Sequence, residues 1–401
     1  MGNVSVGKVG KNILSGAENA TLVFVLTNAC NYRCGYCYEN KSLSASLSLS
    51  YFRDAFSLDT ILKVYEIFCQ YNGMPERIVF FGGEPLIKKD LIYDFVNALI
   101  KTGDKVPKFD MITNASLLEG EIRDFVLEYF SAVTFSLDGG KEIHDSYRKD
   151  AAGNGTFDSI VENIREFQIR NINVKTAVEA TLTDAYLEGD IQSKCKETWE
   201  LMNFLSIQVM DFIPVKGDEY SIFSIHENTG LRQAQDLVNI LVDLWFDDFI
   251  SLQLRTDVVS FHNLLLSLIK KRKPRGCGAG KNYFAVTPDL SVYSCQVALF
   301  QGDLPNWHIE EDKIVELRRD SENVGHADKS NPFCAVCECL EGCSCYCRAQ
   351  WDHHMPEKLP DICHFHKFAR RRILERIGLL YEKNEQGMLK KAVSFYYGKK
   401  E

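Results

Sequence analysis

The chain of 401 residues has no apolar run long enough to cross a bilayer, and its start shows no charged-then-apolar leader. Both absences point to a protein that stays in the cytoplasm. Positive charge is also scarce. Lys and Arg total 46 against 55 Asp and Glu, a net charge of −9, so neither a nucleic acid nor a membrane surface is an expected partner. Two basic runs, "KKRKPR" at 270–275 and "RRR" at 370–372, read as solvated helix ends. No internal repeat is present, and the only biased stretch is "KSLSASLSLS" at 41–50, which reads as a loop.

Cysteine, by contrast, is abundant. Fourteen of them in a reducing compartment argue for metal rather than disulfides. Three fall at 30–37, two at 277 and 295, and seven between 334 and 363. Cys69 and Cys195 stand alone on apolar helical faces and read as inert core thiols.

From residue 21 short β-rich runs alternate with helical periodicity. The strands are expected at 21–27, 77–83, 108–114, 132–138, 173–182 and 207–215, and the helices at 58–71, 90–102, 119–130, 157–170 and 194–205. This pattern predicts an α/β fold, a partial (β/α)6 TIM barrel with an open mouth, whose chemistry gathers at the carboxyl ends of the strands. Polar residues and glycines sit there: Asn28 and Cys30, Gly82-Gly83-Glu84, Thr113-Asn114, and Ser136 to Gly139. Expected boundaries are an N-terminal extension at 1–20, the barrel at 21–215, a helical bridge at 216–275, a cysteine-rich domain at 276–365, and a C-terminal helix and tail at 366–401.

The loop "TNACNYRCGYCYENK" presents Cys30, Cys34 and Cys37 with spacing C-x3-C-x2-C. Three thiolates leave one corner of a [4Fe–4S] cube open to another ligand, whereas structural zinc takes four. Together with "FFGGEPL" at the next strand end, the motif resembles the radical S-adenosylmethionine (SAM) superfamily. The resemblance implies that Cys30, Cys34 and Cys37 hold the cluster. It further implies that Tyr36, Gly82, Gly83, Glu84, Asn114, Ser136 and Arg148 contact SAM, Arg148 as a carboxylate binder. The alternative for Arg148 is a surface ion pair with Asp145 or Asp150.

The later cysteines run Cys277, Cys295, then Cys334-x2-Cys337-x5-Cys343-x3-Cys347, then Cys363. This register resembles the SPASM extension of peptide-modifying radical SAM enzymes, which implies two auxiliary clusters and three [4Fe–4S] clusters in all. Cys334, Cys337, Cys343 and Cys363 would enclose one; Cys277, Cys295 and Cys347 would hold the other. Leu290 stands where the pattern has glycine, and Cys339 and Cys345 are extra, as spare thiols or a further ligand.

By the resemblance the substrate is a cysteine-containing precursor peptide, the donor a low-potential flavodoxin or ferredoxin, and the reaction an oxidative thioether crosslink. Sulfatase-type formylglycine formation is the alternative. That branch carries an aspartate after the second SPASM cysteine, where this chain has Gln296. Another peptide carbon–carbon crosslink, or a non-catalytic iron–sulfur electron-transfer or scaffold protein, are the remaining readings. About twenty residues precede the first strand, too few for the leader-binding winged-helix domain of many such enzymes. Glu39, Glu179 and Asp211 are all candidate general bases, and the sequence singles out none of them.

Overall fold

The computed structural model describes residues 19–37, 55–215, 220–223, 228–270, 278–300, 305–317, 332–339 and 360–398. Six strands alternate with helices, as the periodicity predicts. They are β1 (Thr21–Val25), β2 (Arg77–Phe81), β3 (Lys108–Thr113), β4 (Phe130–Ser136), β5 (Lys175–Leu182) and β6 (Val209–Pro214). Between them run α1 (Leu58–Asn72), α2 (Lys89–Lys101), α3 (Gly120–Tyr129), α4 (Lys141–Tyr147), α5 (Phe157–Arg170) and α6 (Ile191–Phe204). All six strands are parallel and each pairs with its neighbour in sequence, which helical crossovers require. Several strands end one or two residues before the expected limits. The polar residues Thr27, Gly82 and Asn114 belong to the exit loops rather than to the ladders.

The sheet does not close. A two-residue β7 (Asp257–Val258) extends it past β6, and β8 (Tyr283–Val286) adds in parallel beside β1. Three antiparallel strands follow, β9 (Ser291–Tyr293), β10 (Trp307–Glu310) and β11 (Lys313–Glu316), giving one open sheet in the order β11-β10-β9-β8-β1-β2-β3-β4-β5-β6-β7. The expected six strands thus lie within a larger sheet to which the cysteine-rich region contributes. In the β8–β9 turn Leu290 has φ +66°. The backbone keeps the left-handed conformation that glycine favours, although a leucine stands there.

Side-chain alternation splits the apolar residues between the two faces. Leu22, Phe24, Ile78, Phe80, Phe109 and Phe135 face the helices and form the main core, where Phe24 and Phe80 pack edge-on against Phe95 of α2. On the concave face Val23, Val25, Val79, Phe81, Ala285, Tyr293 and Leu299 make a smaller cluster. Across β4 to β6 that same face turns polar. Register places Ser136, Glu179 and Asp211 in one lateral row.

In the stretch expected to be helical, α7 (Asn228–Ile250) and α8 (Val259–Lys270) follow β6 and β7. A short α9 (Gln296–Phe300), a turn of helix α10 (Pro332–Ala335), and the long α11 (Asp361–Glu382) and α12 (Gln386–Tyr397) complete the described chain. The basic run at 370–372 is not simply solvated. Arg371 bonds Glu338, and Arg372 and Arg376 both clasp Asp243 of α7 at 2.7–2.9 Å. Those pairs fasten α11 to α7.

Candidate functional site

The cysteine loop leaves β1 and lies against the exit of β2. Gly83 N–H donates to the Thr27 carbonyl (2.7 Å) and Glu84 N–H to the Ala29 carbonyl (2.9 Å). Glycine is needed for this contact. A Cβ on Gly82, whose φ is +155°, would meet Thr27 O at 2.3 Å, and one on Gly83 would meet Ala29 O at 2.5 Å. The two glycines therefore make room for the loop's own backbone.

On its other side the loop pairs with the segment after α4. Tyr32 and Asp150 form an antiparallel bridge, Arg33 N–H donates to the Lys149 carbonyl, and Gly35 N–H to the Tyr147 carbonyl. Cys30, Cys34 and Cys37 are thus carried on a loop held from both flanks. All three are half-buried and none is in a disulfide. Cys30 Sγ accepts from Tyr32 N–H (3.4 Å) and faces Asn114 Nδ2 (3.8 Å). Burial pushes the Cys34 thiol up to about 11, against the opposing charge of Arg148. Among the described residues no three His, Cys, Asp or Glu side chains converge closely enough for a single metal ion. Three soft, unlinked thiols spread over one braced loop are the donor set a polynuclear iron–sulfur cluster takes.

Glu84 is fully buried and turned inward. Its Oε1 accepts from Leu86 N–H (3.0 Å) and Thr113 Oγ1 (2.7 Å), its Oε2 from Asn114 N–H (2.8 Å). Burial raises its carboxyl to about 7 despite those three donors. Glu84 ties the exits of β2 and β3 together, and through Asn114 it reaches Asn31 and Cys30.

Arg148 pairs with neither Asp145 nor Asp150. Asp145 caps α5 through Thr156 and Phe157 N–H, and Asp150 closes its own turn on Ala152 and Asn154. Arg148 is buried instead, with Nε 3.0 Å from Asp138 Oδ2, an ion pair not aligned as a hydrogen bond. Its guanidinium lies 5.4 Å from the centre of the Tyr36 ring, and the Tyr36 hydroxyl donates to Asp138. Tyr36, Asp138 and Arg148 form one network beside Cys34. Asp138 was within reach of the sequence, since it lies in the "SLDG" segment that singled out Ser136. Ser136 itself sits half-exposed at the end of β4.

The later cysteines are more dispersed. Cys295 opens α9, with Sγ accepting from Ala298 N–H (3.4 Å). Cys334 and Cys337 bracket a turn, Cys339 is buried, and Cys363 lies in the first turn of α11. Cys277, Cys343, Cys345 and Cys347 lie outside the described residues, as do Glu39, the 1–18 stretch and the serine-rich piece. Gln296, beside Cys295, accepts from the Tyr283 hydroxyl (3.0 Å). Of the lone thiols, Cys195 is buried in the core, whereas Cys69 is half-buried.

No described helix is long and apolar enough to cross a membrane. Residues 24–191, which run from the end of β1 through this loop and on past β5, match the pattern of the Radical SAM superfamily. The chain is 27% identical over 364 residues to the cysteine-type anaerobic sulfatase-maturating enzyme of Clostridium novyi, covering 85% of this chain and 90% of the relative. Its fold is similar to that of native anSMEcpe with bound AdoMet, with a TM-score of 0.67 at 20% identity, covering 90% of this chain and 99% of that one. Streptococcus suis SuiB bound to precursor peptide SuiA gives 0.55 at 14% identity, over 86% and 74%.

Proposed function

Because residues 24–191 form a radical SAM domain, we propose that this chain is a peptide-modifying enzyme using SAM and a [4Fe–4S] cluster held by Cys30, Cys34 and Cys37. The observation that carries this reading is the three-thiol loop, braced between the glycines of β2's exit and the 147–150 segment. When bound, the cluster and SAM supply a 5′-deoxyadenosyl radical that takes hydrogen from an unactivated carbon.

The chain's own residues bind, orient and exclude water. Tyr36 and Arg148 present a ring face and a cation beside the loop, suited to an adenine and a carboxylate. Ser136 adds a hydroxyl at the end of β4. Gly82, Gly83, Glu84 and Asn114 fix the loop's path, the last through its contact with Cys30. The remaining cysteines, Cys277, Cys295 and Cys347 in one set and Cys334, Cys337, Cys343 and Cys363 in another, would hold two auxiliary clusters. Glu179 and Asp211 offer carboxylates on the concave face, where a peptide strand entering the open cup would meet them.

The substrate we propose is a cysteine-containing precursor peptide, and the product a thioether between a cysteine sulfur and a carbon of another residue. The formylglycine reading has one finding in its favour, the activity in the name of the Clostridium novyi relative. Against it stands Gln296, an amide engaged by Tyr283, where a base would be needed. Mass spectrometry of a candidate peptide co-expressed with the enzyme separates them. A thioether keeps its sulfur and loses a pair of hydrogens, whereas formylglycine loses the sulfur. With SAM and dithionite under anaerobic conditions the enzyme must yield 5′-deoxyadenosine; without it the enzyme reading falls to that of an electron carrier or scaffold.

A further inference from the structure

We propose that Asp138 is a positioning residue for SAM binding, setting Tyr36 and Arg148 in place; this rests on the reading of the site just given. Asp138 is 1% exposed, and its polar atoms reach the cysteine loop, α4, β5 and Tyr186 ahead of α6. Oδ2 takes the Tyr36 hydroxyl of the cysteine loop and faces Arg148 Nε at the end of α4. Oδ1 accepts from Thr181 N–H of β5 at 3.0 Å. The carbonyl accepts from the Tyr186 hydroxyl, and the Asp138 N–H points at His144 Nδ1 (3.4 Å).

The residue is also blocked from behind. A Cβ on Gly139 would meet Thr198 Oγ1 at 2.7 Å, and one on Gly140 would meet the Glu197 carboxyl at 2.4 Å. Helix α6 therefore fixes the backbone that carries the carboxylate. A buried carboxylate between a phenol and a guanidinium holds both in one orientation, because releasing the guanidinium leaves two charges unpaired in the interior and releasing the phenol leaves a buried hydroxyl without its acceptor. The pairing with Arg148 is through Nε. A bound carboxylate can take the terminal nitrogens of the same guanidinium while Asp138 keeps its hold. Asp138 thus acts through Tyr36 and Arg148 rather than by touching the reacting atoms.

The experiment is a double-mutant cycle on the iron-loaded enzyme with Asp138→Asn, Tyr36→Phe and the pair. It reads the SAM dissociation constant, the cleavage rate at saturating SAM, and the iron content. Expected is SAM binding weakened about 10- to 100-fold in Asp138→Asn, with iron content kept and the saturated rate within about threefold. The double variant should be little worse than Asp138→Asn alone, since coupled residues are not additive. Unchanged SAM binding in Asp138→Asn, or strictly additive penalties, overturns the proposal. Should Asp138→Asn not fold, Tyr36→Phe decides alone: binding weakened about threefold or more supports the proposal, and wild-type binding overturns it. A wild type that binds no SAM refutes the function reading instead. The positioning is then judged on the metal-free protein, by amide exchange over residues 32–36. Exchange about tenfold faster in Asp138→Asn supports it, and unchanged exchange overturns it.

Discussion

Glu179 and Asp211 stand at paired positions of neighbouring parallel strands and face the same concave side of the sheet, yet among the described residues only Asp211 is held by protein hydrogen bonds. Asp211 Oδ1 takes the Ser260 hydroxyl at 2.6 Å and the Phe212 N–H at 3.0 Å. Glu179 makes no hydrogen bond among the described residues and is exposed into the cup. Desolvation and then Asp211 hold its carboxyl above the usual range, with Arg148 opposing. A solvent-accessible carboxylate with no protein hydrogen bond and a raised proton affinity is a candidate for contact with substrate. Glu179→Gln is expected to lower peptide turnover by about 100-fold, the scale of general-base catalysis, while SAM cleavage without peptide stays within about threefold. Equal loss of both would show that the carboxylate serves SAM rather than the peptide.

The two groups of cysteines are expected to fail differently. Any of Cys30→Ala, Cys34→Ala and Cys37→Ala should abolish 5′-deoxyadenosine formation and remove one cluster's worth of iron. Cys347→Ala should leave cleavage intact and damage peptide turnover. Chromatography of the nucleoside beside mass spectrometry of the peptide reads both, and identical behaviour would break the division into two kinds of site.

Glycine replacements separate crowding from conformational freedom. Gly83→Ala forces the 27–29 backbone away and should cost about 1–3 kcal/mol, with loss of bound iron. Gly378, exposed in α11 with nothing within 4 Å of an added Cβ, is the contrast. There alanine should stabilise by about 0.5–1 kcal/mol. Denaturant midpoints and iron content check both, and a neutral Gly83→Ala would mean that the loop does not press against the exit of β2.

Glu84 sets a pH dependence with a definite sign. Its folded carboxyl titrates near 7 against 4.5 as the reference. Below 4.5 both states are protonated. Between the two values the folded state keeps a proton that the unfolded state has lost, so stability falls as pH rises through this window and the loss is complete above 7. Glu84→Gln should remove that component. Urea midpoints of wild type, plotted against pH, should therefore fall relative to the variant, and parallel curves would refute the assignment.

The six alternating strands and the three-thiol loop were legible because each is local: period two against 3.6, and three cysteines within eight residues. Helix α5 has the limits its periodicity predicts, 157–170. What stayed hidden depends on distance across the chain. Nothing in "KNYFAVTP" announces that β8 lies beside β1, some 260 residues earlier. For Arg148 the ion-pair alternative looks to Asp145 or Asp150, its near neighbours in sequence. The partner lies ten positions back, across a turn that residue types alone do not reveal. Leu290 looked like a departure from glycine, yet the turn's hydrogen bonds hold its backbone left-handed.

The pairing of Thr21 with Tyr283 also has a temporal meaning. While the polypeptide is being synthesised, one border of the first strand stays bare until Tyr283–Val286 has emerged. Long-range parallel contacts of this sort form late and slowly. Until then the first strand keeps an edge open to wrong pairing with another chain, although the contacts that brace the cysteine loop all come from residues before 151 and can form earlier.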